Sequence, residues 1–205
     1  MTNSQAERNI PIGGDFTTIF DETTFLSMVN SNDEATVALK FHLIMEEFIN
    51  IWCAKRTMTD DLFSGADFVP FKLKLIIARN LGLEDGISKA FEKLNSVRNK
   101  YSHRLKHHIS DRDIESLSTL IDNSAQNQKV SDCRTFHVDT SGTDQFGRPA
   151  TQVHTWNSNS SKKLFIMCIA MTLRVTLWMQ DEFIKQGITY TLTTGLPHTL
   201  HAPNS

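Results

Sequence analysis

The sequence predicts an all-α protein, a helical bundle in which a polar insertion precedes a long C-terminal hydrophobic helix. Three observations support this fold class. Apolar residues recur at spacings of three and four along most of residues 34–122, which is the period of an amphipathic helix. Residues 124–161 are polar and contain glycine and proline, and residues 162–186 form the most hydrophobic stretch. We therefore expect one domain over residues 1–205, with an N-terminal extension over residues 1–30.

Composition restricts the class of protein without identifying a function. Hydrophobic residues make up 40% of the 205 residues, which is enough for a sizeable core. The formal net charge is -2, so a nucleic-acid site would have to come from a local basic patch. Cys53, Cys133 and Cys168 are widely spaced and match no zinc pattern, so we expect free, buried thiols in a reducing compartment. The polar N-terminus resembles neither a signal peptide nor a transit peptide, which predicts a cytoplasmic protein.

Cap and breaker residues place the helices of the core region. Ser31-Asn32-Asp33-Glu34 and Ser110-Asp111-Arg112-Asp113 are typical of helix starts, and Pro70 suits a first helical turn. Gly82 is typical of the left-handed residue that ends a helix. The predicted helices cover about residues 34–55, 71–80, 87–106 and 113–123, with a shorter helix at 21–28.

The insertion and the hydrophobic stretch each leave two interpretations open. Polar and apolar residues alternate over residues 134–139 and 150–156, which is typical of a two-strand hairpin, although a disordered insertion has a similar composition. Leu164 to Met179 is apolar nearly all round. It is shorter than the roughly 20 residues of a membrane span and has Arg174 near its centre. We expect it to be buried in the bundle core or at a subunit interface.

The candidate functional residues lie in the helix predicted over residues 87–106. Arg98 is followed directly by Asn99, and four residues separate Arg98 from His103. On a helix Asn99 and His103 share a face, with Arg98 about 100° round from Asn99. A guanidinium binds phosphate through paired N–H donors, and an imidazole can take or give a proton near neutrality. This combination suits RNA cleavage without a metal, although the same spacing also occurs among ordinary polar residues on a solvated face.

The run Arg98-Asn99-Lys100-Tyr101-Ser102-His103 resembles the signature of the HEPN superfamily, in which a polar residue follows the arginine and a histidine comes a few residues later. With the upstream run Phe71 to Leu83 it is similar to the mannitol operon repressor branch, over roughly residues 34–122. The resemblance implies a HEPN-like helical bundle, often dimeric, in which arginine and histidine of two subunits meet. It implies either a metal-independent endoribonuclease of toxin–antitoxin or phage-defence systems, or a non-catalytic regulatory or interaction module.

Each candidate residue has a predicted role. The predicted catalytic residues are His103, which would act on the ribose 2′-OH, and Arg98, which would stabilise the phosphate charge. Asn99 would position the phosphate or hold Arg98 in place. The basic residues around and after the motif are predicted to bind RNA: Lys100, Arg104, Lys106 and His107. In the HEPN superfamily an acidic residue on the corresponding helix often lies near the motif, which gives Glu46 and Glu47 a supporting role.

The remaining predictions concern ligands and partners. His103 and His107 have a spacing that can chelate a metal, but no acid or cysteine completes a zinc motif, so we predict no metal and no cofactor. The predicted partners are RNA, a second copy in a homodimer, and an antitoxin or regulatory protein, with no membrane. In the HEPN branch that pairs with nucleotidyltransferase antitoxins, a tyrosine stands two positions after the histidine. Leu105 occupies that position here, which argues against that form of control.

Overall fold

Helices form most of the chain in the computed structural model, which describes residues 14–65, 67–103, 107–143 and 146–190. The described elements follow one another in this order: a short 3-10 helix (Gly14–Phe16), α1 (Glu22–Asn30), α2 (Glu34–Thr57), α3 (Phe71–Asn80), α4 (Asp85–His103), α5 (Asp111–Asp122), β1 (Val138–Thr143), β2 (Pro149–His154) and α6 (Ser160–Lys185). The prediction of a mainly helical fold is confirmed.

Local side-chain chemistry explains where the helices begin and end. The Asp33 carboxylate accepts hydrogen bonds from the first turn of α2, and the Ser110 hydroxyl accepts one from the first turn of α5. α3 begins directly after Pro70, and Gly82 beyond its end has a φ of +94°, as its position predicts. α4 begins earlier than expected because the Glu84 carboxylate accepts a hydrogen bond from the backbone N–H in its first turn.

The bundle is organised around α2 and α6. The N-terminal ends of these helices lie together, where Ser161 donates a hydrogen bond to the Ser31 carbonyl just before α2. Towards their C-terminal ends the Trp52 ring packs against Trp178 and Phe183, at centroid distances of 4.8 and 5.8 Å. The two helices therefore run in the same direction, and they bury a continuous apolar core between them.

α4 runs antiparallel to α2, whereas α3 runs parallel to it. Tyr101 on α4 contacts Glu34 at the start of α2, and Asn95 contacts His42 two turns further along. Phe71 at the start of α3 packs against the same His42, and the Ala78 carbonyl near its end accepts a hydrogen bond from Trp52 on α2. α3 therefore covers α2 only from His42 onwards, so the earlier turns of α2 and the last turns of α4 extend beyond the start of α3.

α6 is long and apolar because the chain surrounds it. By length and composition it is the one described helix that could cross a membrane, but 78% of its most apolar part is buried inside the protein. Of the two predicted locations, the bundle core accounts for the apolar character of Leu164 to Met179. Arg174 is tolerated near its centre because the guanidinium donates to the carbonyl oxygens of Val130 and Ser131.

The insertion contains the two-strand hairpin that the alternation predicts. β1 and β2 pair antiparallel, with Val138 opposite His154. The first strand begins at Val138, later than the predicted range of residues 134–139. The reason is a turn: the backbone N–H groups of Thr135 and Phe136 donate to the Asp132 carbonyl, and the Phe136 side chain is buried. Phe136 anchors this turn, and its apolar side chain produces the alternation that is typical of a strand.

The N-terminal extension and the cysteines complete the core. Phe16 and Ile19 are buried, and the Phe16 ring lies 6.3 Å from that of Phe48 on α2. Cys53, Cys133 and Cys168 are buried and free, as predicted. Burial raises the pKa of the Cys53 thiol to about 11, so it stays protonated and unreactive at neutral pH.

Candidate functional site

α4 carries the motif at the boundary between the core and solvent. Phe91, Leu94 and Val97 are almost fully buried and hold one face of the helix against the bundle. Arg98 and Asn99, which follow Val97 directly, are only partly buried. The amphipathic helix predicted for the motif is thus present, and the polar residues of the motif are fixed by a rigid element rather than by a loop.

Arg98 keeps most of its donors unpaired within the described part of the chain. Its Nη1 donates to Asn99 Oδ1 at 3.1 Å. Its Nε is buried and no described residue accepts a hydrogen bond from it. No described carboxylate forms an ion pair with this guanidinium, whereas the buried Arg174 has Asp132 beside it. A half-buried cation of this kind attracts an anion.

His42 on α2 is a neighbour of the motif that the sequence analysis missed. Its ring is 3% exposed, packs on Phe71 with a centroid distance of 4.3 Å, and places Nε2 3.1 Å from Asn95 Oδ1. Burial lowers the pKa of His42, and the positive charge of Arg98 lowers it further. His42 is therefore neutral at physiological pH. The available signal was a polar residue at a core position of an amphipathic helix.

Lys100 forms an ion pair within the protein. Its ammonium group lies 2.7 Å from Asp113 Oδ2, and Lys93 contacts the other oxygen of the same carboxylate at 2.8 Å. Burial acts to raise the pKa of Asp113, but hydrogen bonds from Lys100, Lys93 and Ser110 outweigh it and hold the pKa far below its usual range. Lys100 therefore helps to join α4 to α5, which reduces the positive charge that it can offer to RNA.

The chain that returns from α4 is tied to the start of α2. The Glu34 carboxylate accepts hydrogen bonds from the Tyr101 hydroxyl and from the Ile109 backbone N–H, both at 2.9 Å. Burial, and then the negative charge of Glu34, raise the pKa of Tyr101 well above its usual range. His107 packs edge-on against the Tyr101 ring at 5.0 Å, and its buried Nε2 has no described partner. His107 is thus partly enclosed by the protein.

Three of the predicted residues fall wholly or partly outside the described chain. α4 reaches His103, whose backbone lies one turn beyond Asn99, but its side chain is outside the described part. Arg104 and Lys106 also lie outside the described residues. Their roles in catalysis and in RNA binding stay predictions.

The described contacts of Glu46 and Glu47 go to residues other than Arg98. Glu46 pairs with Lys74 on α3 at 2.8 Å. Glu47 accepts hydrogen bonds from Thr18 and Asn50 at 3.1 Å. A supporting role for either residue beside Arg98 stays a prediction. The charge of Glu46 does act on His42, where it opposes the lowering of the pKa.

A groove of about 610 Å³ runs between α3 and α4 beside the motif. From α3 it is lined by Phe71, Lys72 and Leu75. From α4 it is lined by Glu92, Asn95, Ser96, Asn99 and Lys100. The described residues contain no group of three or more His, Cys, Asp or Glu that could hold a metal ion. The groove is an open cleft that has apolar side chains on its α3 side and mostly polar side chains on its α4 side.

Comparison of the chain with models of protein families, with curated proteins and with solved structures finds no significant match. The HEPN resemblance therefore rests on the sequence of the motif and its upstream run alone. The function has to be argued from the site itself.

Proposed function

We propose that the protein is a metal-independent endoribonuclease of the HEPN type. The observation that carries the proposal is the Arg98 guanidinium, which is half-buried on a rigid helix and has no carboxylate partner among the described residues. Asn99 holds it through one hydrogen bond, and His103 follows one turn later on the same helix. Cleavage of RNA needs a phosphate-binding cation and a proton-transfer group close together, and Arg98 and His103 would fill these roles.

The proposed reaction uses the substrate's own hydroxyl as the nucleophile. His103 takes the proton from the ribose 2′-OH, and the 2′ oxygen attacks the adjacent phosphorus. The bond from phosphorus to the 5′ oxygen breaks, and that oxygen takes the proton from the protonated His103, which returns the imidazole to its neutral form. The products are a 2′,3′-cyclic phosphate and a 5′-hydroxyl. Arg98 stabilises the charge that develops on the phosphate oxygens, where donors held in place have their largest effect.

The proposal includes a biological setting. A HEPN ribonuclease of this kind would act in the cytoplasm as a toxin or phage-defence effector, as a homodimer, and under the control of an antitoxin or regulatory protein. Leu105 stands where the nucleotidyltransferase-controlled branch has its tyrosine, so control by modification of that residue is not part of the proposal.

The test is cleavage of a mixed RNA substrate in EDTA. We expect His103→Ala to lower the rate of cleavage by about 10²- to 10⁴-fold. Arg98→Lys should also lower the rate, because an ammonium group cannot make the bidentate hydrogen bonds of a guanidinium. Lys89→Ala is the matched control, because Lys89 is an exposed cation on α4 that pairs with Asp85. Cleavage that requires a divalent metal, or that survives both His103→Ala and Arg98→Ala, would contradict the mechanism.

The alternative is a non-catalytic regulatory or interaction module. It is favoured because two of the residues predicted to bind RNA make contacts inside the protein. Lys100 is paired with Asp113, and His107 packs on Tyr101. This alternative would be supported if neither the wild type nor any variant cleaved RNA. The Arg98→Ala variant would then still bind the regulatory protein.

A further inference from the structure

Two asparagines, one turn apart on α4, have their amide oxygens occupied in the same way. Asn99 Oδ1 accepts from Arg98 Nη1, and Asn95 Oδ1 lies 3.1 Å from His42 Nε2. An amide oxygen can only accept, so the proton of the neutral His42 ring is on Nε2. Each amide therefore has its orientation fixed by a neighbour that donates to its oxygen. The NH₂ groups of both amides have no described acceptor.

The hydrogen bond between His42 and Asn95 leaves the other nitrogen of the buried His42 ring without a partner in the described chain. With the proton on Nε2, the buried Nδ1 is an acceptor that no described donor reaches. A buried polar atom without a partner is destabilising. The contact with Asn95 is the one hydrogen bond of this ring in the described chain, so its clearest physical effect is to orient that amide.

The groove between α3 and α4 thus offers several donors beside the motif. The carboxylate of its lining, Glu92, lies 3.5 Å from Arg79 Nη1 on α3, which offsets its negative charge. Asn95 and Asn99 both line it and both present NH₂ groups, and the Ser96 hydroxyl lies between them in sequence. Lys72 contributes an exposed ammonium group from α3, without a described ion-pair partner. A ligand that satisfies two NH₂ groups and a cation is an anion rich in oxygen acceptors.

We propose that this groove binds the phosphate adjacent to the scissile phosphate of single-stranded RNA. Asn95 and Lys72 contact this second phosphate, and His42 is a positioning residue that acts through Asn95. The identification of the ligand rests on the proposed function, because Arg98 and Asn99 would hold the scissile phosphate. Asn95 and Asn99 are one helical turn apart, about 5–6 Å, so neighbouring groups of one strand can contact both.

The experiment measures binding separately from cleavage. The protein is the full chain carrying His103→Ala, and the probes are fluorescent single-stranded oligoribonucleotides of defined length. In one series each phosphate in turn is replaced by an uncharged methylphosphonate. For the phosphate in the groove, we expect the replacement to weaken binding about tenfold, the usual effect of losing a hydrogen bond to a charged group.

Variants assign that loss to residues. In the Asn95→Ala background the same methylphosphonate should cause no further loss, whereas the exposed Asn157→Ala control should respond like the parent. His42→Leu removes the donor to Asn95 and should behave like Asn95→Ala. His42→Gln restores an N–H donor and should recover the sensitivity. Thermal unfolding of each variant checks that the buried His42 can be replaced without loss of the fold.

The outcomes separate the two proposals. If Asn95→Ala and its parent respond equally to every methylphosphonate, the second-phosphate site is wrong, even if the wild type cleaves RNA in EDTA. If no form cleaves RNA but one methylphosphonate has an Asn95-dependent effect, the ribonuclease proposal fails and the phosphate site stands. Absence of any binding to these oligonucleotides overturns the phosphate site.

Discussion

Two arginines in this chain show what distinguishes a structural cation from a candidate functional one. Arg174 donates to the Val130 and Ser131 carbonyls and lies 3.3 Å from an Asp132 oxygen. Arg98 has a single described hydrogen bond, to the neutral amide of Asn99. A partly buried cation without a carboxylate partner leaves donors available to an anion. This contrast is the physical reason to place the function at Arg98.

His42 predicts how stability depends on pH. Burial lowers its pKa from 6.5, and the charge of Arg98 lowers it further. Below pH 6.5 the unfolded chain takes up a proton at this position while the folded protein resists it, so the free energy of unfolding falls as pH falls. The buried His154 contributes in the same direction, because its pKa is also lowered.

We expect the free energy of unfolding to drop between roughly pH 7.5 and roughly pH 5.5, and His42→Gln to make that drop smaller. Urea denaturation across this range measures both effects. The exposed His108 provides the control, because His108→Gln removes a histidine without removing a buried imidazole. An equal drop in the His42→Gln variant would show that the buried ring is not the source.

The motif could be predicted from sequence because it is local, whereas its surroundings could not. Arg98 and Asn99 are adjacent in the chain, so their contact follows from the helix itself. His42 and Asn95 are 53 positions apart, and their contact depends on how α2 and α4 pack. The same is true of Lys100 and Asp113. Sequence patterns report the period of each helix, and they do not report which polar side chains meet between helices.

At the scale of elements, α6 shows how a sequence can leave two locations open. Its apolar character requires burial, but burial in a core and burial at an interface have the same composition. The observed packing against α2, through Trp52 and Trp178, places it in the core. In the segment after α5 the sequence pattern indicates the wrong element. The buried Phe136 belongs to a turn, and the strand begins two residues later.

Arg174 fixes the segment over residues 124–132 to the middle of α6. Arg174→Met keeps an apolar stem of similar length but leaves the Val130 and Ser124 carbonyls without their donor. We expect a loss of about 2–3 kcal/mol in the free energy of unfolding. Hydrogen exchange should become faster at the backbone amides of residues 124–132.

The matched control is Lys185→Met, which removes an exposed cation at the end of the same helix. It should change stability by less than about 0.5 kcal/mol. If the two variants lose similar stability, or if exchange over residues 124–132 is unchanged in Arg174→Met, then Arg174 does not anchor that segment.

At the scale of the whole molecule, the structure changes the basis for expecting a dimer. The apolar α6 was one reason to expect a subunit interface, and its burial within one chain removes that reason. The remaining reason is chemical, because one chain supplies one arginine and one histidine of the motif, and the HEPN resemblance implies that two pairs meet. A dimer would therefore have to form next to Arg98.

α2 has exposed apolar side chains at the level of Arg98 that fit this requirement. Tyr101 contacts Glu34 and Asn95 contacts His42, so Arg98 lies level with the turn of α2 between those residues. Leu39 is on that turn and Leu43 follows it on the same face, and they are 43% and 55% exposed. Exposed apolar residues at this level of the bundle are suited to contact a second copy of the chain.

We expect light scattering at micromolar concentration to give twice the chain mass of 23.3 kDa, and Leu43→Glu to shift the protein towards that single-chain mass. The substitution places a carboxylate at an apolar contact, where its desolvation opposes association. Leu26→Glu is the control, because Leu26 is similarly exposed at 48% but lies on α1. In the proposed composite site the Arg98–His103 pairs of two subunits meet, so loss of the dimer should abolish RNA cleavage even though Leu43 takes no part in the reaction. A wild-type protein that is a monomer and still cleaves RNA in EDTA would contradict the composite site while leaving the roles of Arg98 and His103 intact.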